Sequence, residues 1–272
     1  MIQPNSQAAS FAYWMLNISK QRLSTPQRII VQNVYNAAIA NNPISNQEWY
    51  NFNLFAAWRN KYFIVYNSYA SETLPSLLTS LAASFSFNGN SNDDLGIRNG
   101  TDTAMIYGVP YGKVNQGAFF NATNSQITHS ALNLGSSWSV AFWIYPQTQV
   151  VSMPAIWMTN GGAYAIIFNS VTSKMQIASS GQIDIGPVLI YNTYTHIVIT
   201  FTSGTYRIYV NGILYPTPLT HTNISTLNLI GRNSFQGSFR GYLDILCAWS
   251  RVITQQEVDA LYNAYAGIEY PF

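Results

Sequence analysis

The sequence predicts a mainly β protein, an antiparallel β-sandwich preceded by an α-helical N-terminal region. Three observations carry that expectation. From about Ala83 onward, short β-branched and aromatic runs alternate with period two, as strands require. Turn residues separate these runs at regular intervals, the pattern of antiparallel sandwiches. Ahead of them, apolar residues recur at helical spacing behind two N-terminal cap signals.

The first helix is expected from Thr25-Pro26 through QRIIVQNVYNAAIA. A cap followed by proline at the first helical position costs no hydrogen bond, because that N–H has no intrahelical partner. Ser45 and Glu48, just after Pro43, make a capping box that opens a long aromatic helix from Trp49 to Tyr66. Along it Trp49, Phe52, Phe55, Phe63 and Tyr66 fall near one stripe. So aromatic a helix must bury most of its surface, either as plain core or as an assembly interface. Residues 1–82 are therefore assigned to docking or oligomerisation, 83–267 to the sandwich and 268–272 to a tail.

Within the sandwich, WSVAFWIY (Trp138 to Tyr145) is a strand that stops at Pro146. HIVITFTSGTYRIYVNGILYP reads as a three-stranded meander. Ser203-Gly204 makes its first turn and Asn211-Gly212 its second, the latter a strong hairpin signal because both residues tolerate positive φ. Further strands are expected at Ala163–Asn169, Lys174–Ala178 and Asn228–Arg232. From Tyr242 to Arg251 the chain is apolar on both faces except for Asp244, so this strand is covered on both sides. Thr254 and Glu257 then cap a helix expected to fold back onto the rim of the sandwich.

Composition excludes several functions. Charged residues make up 8% of the 272 and the net charge is +2, no electrostatic footprint for nucleic acid. No stretch reaches the 18 apolar residues of a membrane span. The opening MIQPNSQAASFAYWMLNISKQ has no basic region ahead of its apolar stretch, so no secretory signal is expected. The one cysteine, Cys247, permits no intrachain disulfide and reads as a small buried hydrophobe.

Several segments together resemble a known family. FNGNSNDDLGIRNGT (Phe87 to Thr101), GKVNQGAFFNATNSQIT (Gly112 to Thr128), WSVAFWIYPQT, THIVITFTSGTYRIYVNG and FRGYLDILCAWSRVITQQEVDALY are similar, in this order, to laminin-G-like, concanavalin A-like jelly-roll domains. The resemblance covers roughly residues 84 to 266. It implies a jelly roll whose first and last strands lie side by side. It also implies a structural Ca²⁺ between the opening Asn-Asp loop and the closing strand, with Asp93 and Asp244 as metal ligands. Calcium wants six to eight oxygens, and here two positions of the pattern, Asn88 and Asn121, are amides rather than acids. The other reading of Asp244 is a structural carboxylate held by backbone amides or by Arg98 or Arg240, since a buried acid without donors costs several kcal/mol.

The fold class includes glucan hydrolases, but hydrolysis needs two carboxylates flanking the bond to be cut. The ten acids are scattered and no Glu-x-Asp-x-x-Glu strand, Gly-x-Ser-x-Gly elbow or His-Glu-x-x-His helix occurs. A non-enzymatic protein is expected, and His196 reads as structural. Two roles remain. One is a structural component of a virion, on a phage or large DNA virus, with the sandwich outward and the aromatic helices bound to copies of itself or to capsid or tail proteins. The domain type works outside cells while the chain lacks a signal and disulfides, and a virion protein resolves that conflict. The other is a lectin-like adhesion module whose loop aromatics Tyr107, Tyr111, Trp157, Tyr191 and Tyr215 stack on a glycan.

Overall fold

The computed structural model describes residues 25–39 and 77–272 except 163, 225, 234 and 236, with isolated positions 12, 16, 43 and 45. The chain divides into two compact units, Met1–Leu74 and Pro75–Phe272. In the first, Thr25–Ile39 is the expected helix. Its Val31 and Val34 are fully buried, three residues apart and so on one face. Glu48 and the stripe Trp49, Phe52, Phe55, Phe63 and Tyr66 lie outside the described residues.

The second unit is an antiparallel sandwich. The larger sheet orders Ile213–Leu214, Thr205–Val210, Thr195–Thr202, Ser137–Pro146, Gly241–Trp249, Gly117–Phe120 and Ile106–Gly108. The meander Thr195–Leu214 therefore forms as read, with Ser203 and Asn211 both at positive φ in its turns. The opening strand Leu81–Phe85 pairs antiparallel with Gly241–Trp249, placing the first and last strands side by side. The smaller sheet orders Gln182–Ile185, Lys174–Ala178, Ala165–Asn169, Ala155–Met158, Thr226–Ile230, Gln126–Asn133 and Thr101–Thr103. Between the sheets Phe85, Trp138, Phe142, Trp157, Phe168, Ile199 and Leu246 are buried in one core.

Gly241–Trp249 is covered on both faces, and the alternation of its side chains shows how. Leu243, Leu246 and Ala248 point into the inter-sheet core, while Ile245, Cys247 and Trp249 point outward with Trp143 and Val198. The helix Gln255–Tyr262 buries Val258 and Leu261 on that outer patch, and Tyr265 with Ile268 and Phe272 of the tail extends the cover. The helix thus lies on the outer face of the sheet rather than on the rim. The reason is that strands apolar on both faces leave a second surface that must be removed from water. Its capping box forms as expected, Thr254 Oγ1 accepting from the Glu257 N–H and Glu257 Oε2 accepting from the Thr254 N–H at 2.7 Å.

One irregularity sits at the centre of this strand. The register slips between Asp244 and Cys247 opposite Trp143 and Ala141, and Ile245 has φ 48°. This is a β-bulge. Leu243 and Leu246 both face the inner core, so the extra residue leaves Asp244 and Ile245 together on the outer side, where neither alternation nor composition placed both.

Candidate functional site

The two acids expected to share a metal are held separately, each by backbone N–H groups. Asp93 Oδ1 accepts from Ser84 and Leu95 at 3.0 and 3.2 Å, and its Oδ2 accepts from Ile97 and Arg98 at 3.3 and 2.9 Å. Asp244, fully buried, accepts on Oδ2 from Lys113 and Val114 at 2.7 and 2.9 Å, while its Oδ1 has no hydrogen-bond partner. The Gly-Lys-x-x-Gln segment therefore supplies the amides that hold the last strand's acid. Desolvation, strengthened by the nearby charge of Glu269, pushes the Asp244 carboxyl well above the usual carboxylate range, against the pull of the Val114, Lys113 and Ile245 amides.

Glu269, in the tail, completes the cluster. Its Oε2 accepts from the side-chain amides of Asn88 at 3.2 Å and Asn115 at 2.7 Å, while Oε1 is buried without a partner. Asn88 also accepts the Gln116 N–H on Oδ1 at 3.1 Å, so an acid at 88 would lose the donor that reaches Glu269. The two acids of the expected metal site share no hydrogen-bond partner. Four N–H donors already point at Asp93, and a cation there would have to displace positive dipoles. Among the described residues no three His, Cys, Asp or Glu side chains converge on a metal-sized site.

The histidines among the described strands are packing groups. His129 accepts the Trp157 indole N–H on Nε2 at 2.8 Å, and its Nδ1 lies 2.8 Å from the Ser130 carbonyl. An indole only donates and a carbonyl only accepts, so the ring is neutral with its proton on Nδ1. Burial lowers its pKa. His196 packs against both the Trp143 and Tyr262 rings, which also touch each other, and burial pushes it down to about 3. Burial likewise pushes the Cys247 thiol up to about 12.

Of the five aromatics expected on glycan-binding loops, Trp157 is corrected outright. It is fully buried on the strand Ala155–Met158, edge-on to Phe85, because it is an inward position of a short strand and not part of a loop. Tyr107 packs on the inter-sheet core and donates to Asp102 Oδ1 at 2.9 Å. Tyr191 packs edge-on against Phe168 and donates to the Ser170 carbonyl at 3.2 Å. Tyr111 joins Phe119, Tyr242, Tyr145 and Tyr194 in a patch of half-buried rings on the larger sheet.

Tyr215 lines a cleft. This space of about 210 Å³ lies where the edge strands of both sheets meet, bounded by Lys174, Asp184, Gly186, Tyr215, Thr217 and Pro218. Asp184 Oδ1 accepts from the side-chain amides of Asn169 and Gln176, both at 3.0 Å. These come from neighbouring strands on the sheet's outer face, so the carboxylate is oriented before any ligand arrives. Asn169, Gln176 and Asp184 escaped the sequence reading because their convergence depends on the pairing of three strands. The outward alternation of Lys174 and Gln176 against core-facing Met175 and Ile177 was the signal available.

A second cleft, about 220 Å³, opens on the same sheet near its other edge, lined by Gln126, Thr128, Asn160, Leu229 and Arg232. Here Gly231 turns the chain at φ 80°, with Phe120 packed where a Cβ would stand. Arg232 follows on a short ladder with Ser238.

Among solved structures the sandwich is similar to domain 4 of AbnA, an extracellular arabinanase from Geobacillus stearothermophilus, in complex with arabinotriose. That match has a TM-score of 0.53 at 20% identity and covers 66% of this chain and 97% of that one. It is also similar to Trypanosoma rangeli sialidase, with a TM-score of 0.54 at 13% identity, over 80% of this chain but only 40% of that enzyme. A structure of botulinum neurotoxin type C, whose cell entry depends on interaction with two ganglioside molecules, matches with a TM-score of 0.50 at 13% identity, over 68% of this chain and 51% of that one. At these identities the likeness is one of fold. No curated protein sequence matches the chain. No helix among the described residues is long and apolar enough to cross a membrane. The family model for concanavalin A-like lectins and glucanases matches residues 121–259, from the smaller sheet's outer strands to the capping helix. The strand order, the side-by-side first and last strands and this match agree, and the chain belongs to the concanavalin A-like lectin/glucanase superfamily.

Proposed function

We propose that the sandwich is a non-catalytic carbohydrate-binding module whose glycan sits in the Tyr215 cleft. The observation that carries this reading is the lining of that cleft. An aromatic ring, a carboxylate fixed by two amides, a lysine and a threonine hydroxyl surround a space below the ~300–1,000 Å³ of drug-sized sites. Sugars present an apolar C–H face to stack on a ring and hydroxyls to donate to a fixed acceptor, and this lining offers both. The similarity to an arabinotriose-bound domain supports the same reading. Catalysis is not part of the proposal. Asp244, the acid most perturbed, is fully buried and lines neither cleft. Calcium is not required either, because amides hold both candidate ligands.

Titration calorimetry of the full chain against neutral oligosaccharides tests this. Tyr215→Ala and Asp184→Asn are each expected to weaken binding about tenfold, the loss that one stacking or charge-assisted contact of ~1.4 kcal/mol implies. Binding that survives both substitutions removes the cleft from consideration.

The virion role is a proposal of its own, favoured by the aromatic content of residues 49–66 beside a nearly uncharged chain. In it the module faces outward from an assembly held by residues 1–82, a location in keeping with the extracellular work of this domain type. Removing residues 1–74, the first unit, should abolish large particles in light scattering and spare glycan binding. A stable monomer of the full chain counts against that role and leaves the binding module standing.

A further inference from the structure

We infer that the Arg232 cleft is a second site, distinct from the Tyr215 cleft, that takes the carboxylate of an acidic saccharide such as a uronate. The saccharide part rests on the proposed carbohydrate-binding function; the anion part stands on the residues themselves.

Arginine is always charged and offers five N–H donors in a planar fork. Arg232 uses one of them, Nη1 donating to Gln126 Oε1 at 3.1 Å, its Nε is buried without a hydrogen bond, and the other Nη hydrogens have no partner among the described residues. Among the described residues its guanidinium has no carboxylate partner, and Arg251–Glu257 is the sole ion pair. Among the described residues no acid lines the cleft. The nearby Asp102 stands opposite Ile127, which faces the core, and takes the Tyr107 hydroxyl instead. A half-buried cation with idle donors is best satisfied by an anion, and the planar fork matches a carboxylate.

The remaining lining identifies the rest of the ligand. Gln126, Thr128 and Asn160 are neutral amides and a hydroxyl, suited to sugar hydroxyls, and Asn160 is fixed by its backbone N–H donating to Asn228 Oδ1 at 2.7 Å. A single positive charge among neutral groups suits one carboxylate better than a doubly charged phosphate. Arg232 itself is placed by backbone. Its ladder with Ser238 is tied down where Asn233 donates to the Met153 carbonyl at 2.9 Å.

The test follows the arginine Nε–H resonances of isotope-labelled full-length protein during titration with D-glucuronate and, separately, with D-glucose, which has the same ring with a hydroxymethyl in place of the carboxylate. Glucuronate is expected to shift one resonance, the one missing from Arg232→Gln, and to bind about tenfold or more tightly than glucose. High salt should weaken it. Arg232→Lys, which keeps the charge and loses the fork, should bind several-fold less tightly than wild type, and near-native circular dichroism of either variant establishes that it folds. Equal binding of the two sugars, or an Arg232 resonance that stays still, overturns the assignment. A response to sodium acetate as strong as to glucuronate overturns its saccharide part. Silence from every neutral oligosaccharide with the glucuronate response intact removes the Tyr215 cleft alone; the reverse pattern removes only the Arg232 site.

Discussion

Asp93 and Asp244 are both buried carboxylates on the same sandwich, yet they are satisfied unequally. Asp93 organises a loop that folds back over it, so all four of its described donors come from residues 84 to 98. Asp244 sits on a bulge in a central strand and depends on a segment 130 residues away, which reaches one oxygen only. A local loop can wrap an acid completely because its amides are free to turn inward. A strand's amides are already committed to the ladder, so its acid takes what a neighbouring loop can spare. The same residue type is therefore a fully used acceptor in one place and half of an unsatisfied pair, with Glu269, in the other.

The largest test of this contrast is one substitution made twice. Asp93→Asn puts an NH₂ group against two N–H donors and should cost about 3 kcal/mol, from two lost charge-assisted bonds at ~1.5 kcal/mol each. Urea unfolding checks it, and a cost below that of the same change at Asp244 would break the comparison.

Acid pH gives the next effect. His129 and His196 are buried neutral with pKa values lowered from 6.5. Below pH 6.5 the unfolded chain binds protons that the folded chain refuses. Stability present above that value is thus lost as pH falls, by up to about 1.4 kcal/mol per pH unit for each ring. For His196 the loss continues to near pH 3. Thermal melts from pH 7 to 4 measure the slope. His196→Phe, which keeps a ring against Trp143 and Tyr262, should flatten it.

Asp244→Asn should be smaller and of opposite sign. Asparagine keeps an acceptor for Lys113 and Val114 and places a donor where Oδ1 had none, so stability should stay within ~1 kcal/mol of wild type or rise. The Asp244 pKa is raised, so its contribution is full below the unfolded value of 3.8 and is lost as pH rises through the folded value. The variant should therefore gain on wild type from low to neutral pH, and a parallel pH profile would contradict the assignment. Smallest of all, EDTA should leave the melting temperature of wild type unchanged, whereas a drop on chelation would restore calcium between the two acids.

Much of the fold was legible because its signals are local. Asn211-Gly212 set the hairpin, Thr254 and Glu257 capped the last helix, and the unbroken apolar run around Asp244 marked a strand covered twice. The sites were less so. Trp157 looked like a loop ring because the strand carrying it spans only Ala155–Met158. The helix expected on the rim lies on the sheet because its partner surface is assembled from several strands. By itself the sequence determined the alternation that builds two sheets and the family pattern that orders them, since both rest on backbone periodicity and turn chemistry. Only the tertiary structure decided that Asp184 meets Asn169 and Gln176, that Arg232 faces a cleft without an acid, and that Asp244 is left with one idle oxygen. Those outcomes depend on strand register, and a shift of one residue would send each of these side chains to the opposite face.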